Sequence, residues 1–145
     1  MTDGLLLDTH TLLWLDALSP IRPEALFEIG QARRSTALHF SHISMWEIGV
    51  ALHKKTLTNR PDLRGLSVEE WFAEISADLD VYPVSISETI ALEAALVPAV
   101  YGYGDPGDCF LIATARVRKL ALVTRDARTI KLSERQPEYL SVIPC

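Results

Sequence analysis

The chain has 145 residues, so one domain with a proper core is the expectation. Hydrophobic residues make up 48% and charged residues 23%, a balance that excludes intrinsic disorder, and no apolar run approaches the ~20 residues of a membrane-spanning helix. Lys and Arg number 14 against 19 Asp and Glu, a formal charge of −5 that argues mildly against a nucleic-acid binder with a broadly basic surface but says little about a local patch or about acids that hold metal ions.

Strand-like and helix-like patterns alternate along the chain. Gly4–Leu7 reads as a buried strand, and Thr9–Leu18 as a short apolar helix that stops near Pro20. Pro23–Arg34 reads as an amphipathic helix with Ala25, Leu26, Ile29 and Ala32 on one face and Arg33-Arg34 at its end. Thr36–Ser41 is a second strand, and Ser44–Lys55 a second helical element closing on Lys54-Lys55. A loop over Asn59–Gly65 precedes a helix that starts at Ser67, where Glu70 completes a capping box and Trp71, Ile75 and Leu79 recur on one face. Val81–Val84 is a short strand whose Pro83 suits a sheet edge. Ser87–Val97 is helical, with Ile90, Ala91, Ala94 and Ala95 on one side, and Tyr101–Gly104 reads as a loop. Asp105–Lys119 is the clearest helix, with Asp105 at the N-cap, Pro106 at the first position and Phe110, Ile112, Ala113 and Val117 inside. Leu120–Thr124 is a strand, and Leu140–Ile143 a last one. This order predicts an α/β fold with a mostly parallel sheet, helices on both faces and ligands bound beyond the carboxyl ends of the strands.

Four acids fall where apolar runs stop and helices begin: Asp8 after Leu5–Leu7, Glu47 in SMWEIGV, Asp108 in DCFLIATAR and Asp126 after LALVTR. If the runs are neighbouring strands, these carboxylates meet at one sheet edge. A ligand set made only of oxygen suits Mg²⁺ or Mn²⁺, the metals of phosphodiester chemistry. Each acid also has a plain structural reading. Asp8 caps the helix from Thr9, Asp105 and Asp108 serve the start of the next long helix, Asp126 fits a turn, and Ser44-x-x-Glu47 is a capping-box pattern that explains both residues. The readings are compatible, because helix N-termini help hold several carboxylates ionised at close quarters.

Thr9, Ser44 and Thr124 stand beside the acids and are candidates to orient a carboxylate. Arg116, Arg125 and Arg128 are candidates for phosphate contacts, against a default of solvated helix surface. His10, His39, His42 and His53 lack metal-ligand spacing, and His10 reads as a structural histidine near Asp8. Lys54, Lys55 and Arg60 read as a solvated basic face, and Trp14, Trp46 and Trp71 as core or interface residues. The two cysteines, Cys109 and Cys145, suggest neither a disulfide framework nor a zinc site, and no signal peptide is evident, so a reducing cytoplasm is expected.

LLLDTHTLLWL, SHISMWEIGV, GDPGDCFLIATAR and LALVTRD, in this order and spacing, resemble the motifs of PIN-domain ribonucleases, most of all the VapC toxins of bacterial toxin–antitoxin systems. The resemblance runs from Leu5 to about Asp126. It implies a three-layer α/β/α domain over residues 1–145. Asp8, Glu47, Asp108 and Asp126 match the family's metal-binding catalytic acids, Asp105 an extra acid found in many members, and Thr124 a supporting hydroxyl. Cys109 stands where relatives often carry Arg, so a phosphate or structural contact there is not carried over from the resemblance. The resemblance further implies RNA hydrolysis by a water activated by Mg²⁺ or Mn²⁺, a homodimer and an inhibiting antitoxin partner. Apolar residues around Trp14 and on the Trp71 helix are candidates for the dimer interface. The alternatives are a PIN-type nuclease of RNA processing and a non-catalytic α/β binding module whose acids only cap helices. A receiver-type signalling domain is excluded by the lack of a second acid beside Asp8 and of a lysine after Leu120–Thr124.

Overall fold

The computed structural model describes residues 2–54 and 60–145; Lys55 and Asn59, expected to end a helix and to open a loop, lie outside the described residues. Five strands form one parallel sheet: β1 (Leu5–Leu7), β2 (Leu38–Ser41), β3 (Tyr82–Val84), β4 (Ala121–Thr124) and β5 (Val142–Pro144), in the order β3-β2-β1-β4-β5. The helices are α1 (Thr9–Asp16), α2 (Pro23–Arg34), α3 (His42–Ala51), α4 (Val68–Leu79), α5 (Glu88–Tyr101), α6 (Pro106–Arg118) and α7 (Ala127–Arg135). The sheet is parallel throughout. β3, which carries Pro83, lies at an edge, where a residue without an N–H costs no central ladder bond.

Alternation along the strands divides the core into two layers. Leu5 and Leu7 of β1, Leu38 and Phe40 of β2 and Ala121 and Val123 of β4 pack with Leu12, Ile29, Trp71 and Ile75 on one face. Leu6 and Leu122 pack with Ile90, Val97, Ile112 and Leu132 on the other. A period of two along buried strands requires this division and yields the three-layer α/β/α arrangement. Phe72 stacks on Phe40 with centroids 5.2 Å apart and meets Trp71 edge-on at 5.0 Å, which seats α4 against the sheet.

Several expectations shift in detail. Leu26 is 47% exposed, and Ala91 and Ala95 are exposed while Ile90 and Ala94 are buried, so the buried stripes of α2 and α5 are narrower than the sequence pattern suggests. α5 runs through Pro98 to Tyr101 and ends at Gly102, whose φ of 86° terminates the helix in the left-handed region. Tyr101 is therefore helical and buried, not part of a loop. No helix is expected from the sequence over Ala127–Arg135, yet α7 is strongly one-sided although polar on average. Its buried anchors are Thr129 and Leu132.

Candidate functional site

The carboxyl ends of β1 and β4 hand the chain directly to helices capped by acids. Asp8 is the N-cap of α1 and Asp126 that of α7. Both lie in the same local pattern, Asp-x-x-Thr. Thr11 donates its backbone N–H (2.8 Å) and its hydroxyl (2.6 Å) to Asp8 Oδ1, and Thr129 donates the same pair (2.9 and 2.8 Å) to Asp126 Oδ2. The other oxygen of Asp8 accepts from Thr124 Oγ1 at 2.5 Å, and Thr124 Oγ1 also accepts from the Asp126 N–H at 3.1 Å. A single buried hydroxyl at the end of β4 thus links two of the acids. Thr124 is legible from the sequence as a supporting hydroxyl. Thr11 and Thr129 escape that reading, although the repeated DTHT and DART spacing carries the signal.

Glu47 overturns the capping-box reading. α3 begins two residues before Ser44, and its N-cap is Ser41. Glu47 therefore sits inside the helix and has no capping role. Its Oε1 accepts from Thr9 Oγ1 at 2.6 Å, and Thr9 Oγ1 lies 2.8 Å from Ser44 Oγ. The carboxylate lies against the first turn of α6. A Cβ added to the buried Gly107 would meet Oε2 and Cδ of Glu47 well inside contact distance. Glycine is required there for the close approach of a carboxylate to the positive end of a helix.

Asp105 caps α6 through the Gly107 N–H, and Asp108 occupies its first turn. Asp108 Oδ2 accepts from the buried Tyr101 hydroxyl at 3.0 Å, and the same hydroxyl lies 3.4 Å from Asp126 Oδ2 and 3.5 Å from Thr129 Oγ1. Tyr101 thus stands between two like charges, with one proton to share. No sequence signal points to it, because the contact depends on α5 continuing past Pro98. The Asp108 carboxyl is pushed up to about 6, chiefly by desolvation and further by Asp105, Asp126 and Glu47, with Tyr101 opposing. Burial also raises Glu47, with Thr9 and His10 opposing and Asp105 and Asp8 adding repulsion. Repulsion thus links Asp108 to Asp105, Asp126 and Glu47, and Glu47 to Asp105 and Asp8.

The donor chemistry fits a hard divalent cation. Among the described residues, protein donors hold one oxygen of Glu47, Asp105, Asp108 and Asp126, while Glu47 Oε2, Asp105 Oδ2, Asp108 Oδ1 and Asp126 Oδ1 accept no protein hydrogen bond. Hydrogen bonds of this kind orient a carboxylate for a metal; Asp8 differs, since Thr11 holds its Oδ1 and Thr124 its Oδ2. Among the described residues, no group of three or more acidic, histidine or cysteine side chains is gathered closely enough to hold a metal ion.

The other candidates separate. The Arg125 guanidinium lies 3.7 Å from the Trp14 ring centroid and donates to the carbonyls of Pro20 and Cys145, so it is engaged in tying down the chain end rather than pointing to a phosphate. Arg116 is likewise committed, to Glu93 at 2.7 Å and to the Tyr139 ring and carbonyl. Arg128 is exposed and lies 4.1 Å over the Tyr103 ring, which meets Tyr101 edge-on. Cys109 is buried, with its thiol toward the Tyr103 carbonyl and raised above the usual range by burial. His10 is exposed and stacks on Trp14, so it is not a buried structural histidine.

A parallel α/β/α fold with carboxylates at the carboxyl end of its central strands defines a class of proteins built to act at that edge. The PIN domain family model matches residues 5–134, and the chain belongs to this family. Among solved structures, a chain of a toxin–antitoxin complex from Klebsiella pneumoniae superposes with a TM-score of 0.57 at 22% identity, covering 97% of this chain and 96% of that one. A chain of FitAcB from Neisseria gonorrhoeae gives 0.55 at 18% identity, with 96% of each chain covered. At these identities the likeness is one of fold. No curated protein matches the chain.

Two outcomes follow from the site. Tyr101→Phe removes the proton offered to Asp108 and Asp126 at little change of shape. Activity should fall about 10- to 100-fold, as for other groups that orient ligands, and stability by about 1 kcal/mol. Steady-state rates together with thermal melts check this, and an unchanged rate would exclude a positioning role. The raised Asp108 carboxyl sets a pH dependence. Its folded value of about 6 lies above the ordinary 3.8, so its contribution to stability is full below about pH 4 and is lost as pH rises through about 6. In metal-free protein at about pH 7.5 the ionised group costs about 1–2 kcal/mol, allowing for partial exposure. Asp108→Asn should therefore raise the melting temperature by a few degrees in EDTA at about pH 7.5 and leave it unchanged near pH 4. Equal melting curves at both pH values would remove the strain assigned to this group.

Proposed function

We propose that the protein is a metal-dependent endoribonuclease, the toxin of a toxin–antitoxin pair, with residues 1–145 acting as one nuclease domain. The observation that carries this reading is Glu47. It caps no helix, yet its carboxylate is held by Thr9 and seated against Gly107, among acids from three other elements. Helix capping accounts for Asp8, Asp105 and Asp126, and leaves Glu47 unexplained.

In this reading Asp8, Glu47, Asp108 and Asp126 would hold Mg²⁺ or Mn²⁺, with Asp105 adding charge. Bound there, the cation supplies an activated water at neutral pH and takes up charge that develops on the phosphoryl oxygens. The chain's own residues orient the ligands. Thr124 and Thr11 fix Asp8, Thr9 fixes Glu47, Tyr101 fixes Asp108, and Thr129 fixes Asp126. Ser44 steadies Thr9. Arg128, exposed and over the Tyr103 ring, would meet substrate phosphate in this reading.

An antitoxin and a second copy of the chain are the proposed partners. The family and the toxin–antitoxin complex from Klebsiella pneumoniae to which the fold is similar support the first. Exposed apolar side chains suited to a partner lie on α3 (Trp46, Val50) and α5 (Leu92, Leu96), whereas Trp71 is fully buried, with its indole N–H on Asp16 at 2.9 Å. No helix among the described residues is long and apolar enough to cross a membrane. A cytoplasmic location suits two buried free thiols.

End-group analysis of the products tests the chemistry. Hydrolysis by water should leave 5′-phosphate and 3′-hydroxyl ends and should cut a substrate with a 2′-deoxy residue at the scissile position. A 2′,3′-cyclic phosphate would show attack by the ribose and would contradict the proposal.

A further inference from the structure

A cavity of about 370 Å³, within the size range of small-ligand sites, opens beside Glu47. Thr9 and Glu47 line it and so connect it to the carboxylate edge, while His10, Leu13, Lys54 and Arg60 form other parts of its wall. Apart from Glu47, the charged residues in its wall are cations. Lys54 and Arg60 are exposed cations, and the Arg60 Nε–H donates to the Lys54 carbonyl at 2.6 Å, which holds the two side chains' origins together. The terminal nitrogens of Arg60 have no acceptor among the described residues. The third element is aromatic. The exposed His10 ring stacks on Trp14 with centroids 5.8 Å apart and planes at 29°. Trp14 is fixed in turn by the Arg125 guanidinium over its ring. The imidazole therefore stacks on Trp14 and also lines the cavity.

A π-face and a pair of cations, side by side within reach of one cavity, match the two recurring parts of a nucleotide. A base stacks on the ring, and phosphate meets Lys and Arg. A base inside a duplex is covered on both faces, so stacking on His10 requires an unpaired strand. We propose that this cavity is a subsite for one nucleotide flanking the cleaved bond, with its base on His10 and its phosphate on Lys54 and Arg60. The proposal rests on the ribonuclease reading for its place in a reaction, but the binding itself is measurable without cleavage. Such a subsite offsets locally the repulsion that a chain of net charge −5 exerts on a polyanion.

The test is equilibrium binding, by fluorescence anisotropy at low salt, of a labelled single-stranded hexaribonucleotide. Asp108→Asn serves as the parent, since the ribonuclease reading predicts at least about a thousandfold slower cutting and the substitution removes one negative charge. His10→Ala and the Lys54→Ala/Arg60→Ala double substitution, all at exposed positions, should each weaken binding at least about fivefold. His10→Phe, which keeps the ring face, should bind within about twofold of the parent. The double substitution should also lower the salt dependence of log K by about 1.4, the loss of two phosphate contacts on a single strand. Single-stranded DNA should bind about as well, because neither contact uses the 2′-hydroxyl, and duplex RNA more weakly. Unchanged affinity in both His10→Ala and the double variant overturns the subsite, as does a parent that binds no single strand or prefers duplex. Cleavage by the wild-type protein is measured separately, and its failure would count against the ribonuclease reading alone.

Discussion

Asp108→Asn should reduce phosphodiester cleavage by at least about a thousandfold while the protein stays folded and melts at a higher temperature without metal. Asparagine keeps the shape of the side chain at the first turn of α6 and can still accept from Tyr101. It removes the charge that would neutralise a divalent cation. The same substitution relieves a carboxyl that desolvation and three neighbouring acids hold at about 6. Opposite signs for activity and stability are the signature of a functional acid. A helix-capping acid would lose stability on substitution and leave activity untouched. Single-turnover rates and melting curves on the same preparations separate the two cases.

Gly107→Ala is the second large expected effect, a loss of about 10- to 100-fold in activity with stability nearly unchanged. The new methyl group would collide with the Glu47 carboxylate, the mobile end of a side chain, so the collision is relieved by turning Glu47 away and not by moving α6. Alanine also suits a helix better than glycine, by up to about 1 kcal/mol. The substitution therefore displaces one carboxylate and spares the fold. Activity of the Gly107→Ala variant close to that of the wild type would show that Glu47 need not occupy this position. Restoration of activity by shortening the acid, in Gly107→Ala/Glu47→Asp, would tie the defect to crowding.

Much of this arrangement is legible in the chain because it depends on local rules. Strand ends marked by Asp8 and Asp126, the edge position signalled by Pro83, the capping box of Ser67 and Glu70, and the N-cap of Asp105 follow from the chemistry of a few adjacent residues. What is not legible depends on contacts between distant segments. Ser44 and Glu47 have capping-box spacing, but the helix begins earlier, at His42, so the same two residues meet Thr9 instead, across 35 and 38 positions of sequence. Tyr101 looks like loop because Pro98 and Gly102 flank it, yet α5 tolerates the proline near its end and delivers the phenol to Asp108 and Asp126. Arg125 follows a strand end, where a phosphate contact is plausible, but Trp14 and the Cys145 carbonyl occupy it.

The most direct measurement is cleavage of a panel of end-labelled single-stranded and structured RNAs by the purified protein, with Mg²⁺ or Mn²⁺, with EDTA, and with Asp8→Asn in parallel. The account predicts cutting with either metal, none in EDTA, and none by the folded variant. Cutting that persists in EDTA, or that survives equally in Asp8→Asn, would contradict a carboxylate-held metal as the source of the activity.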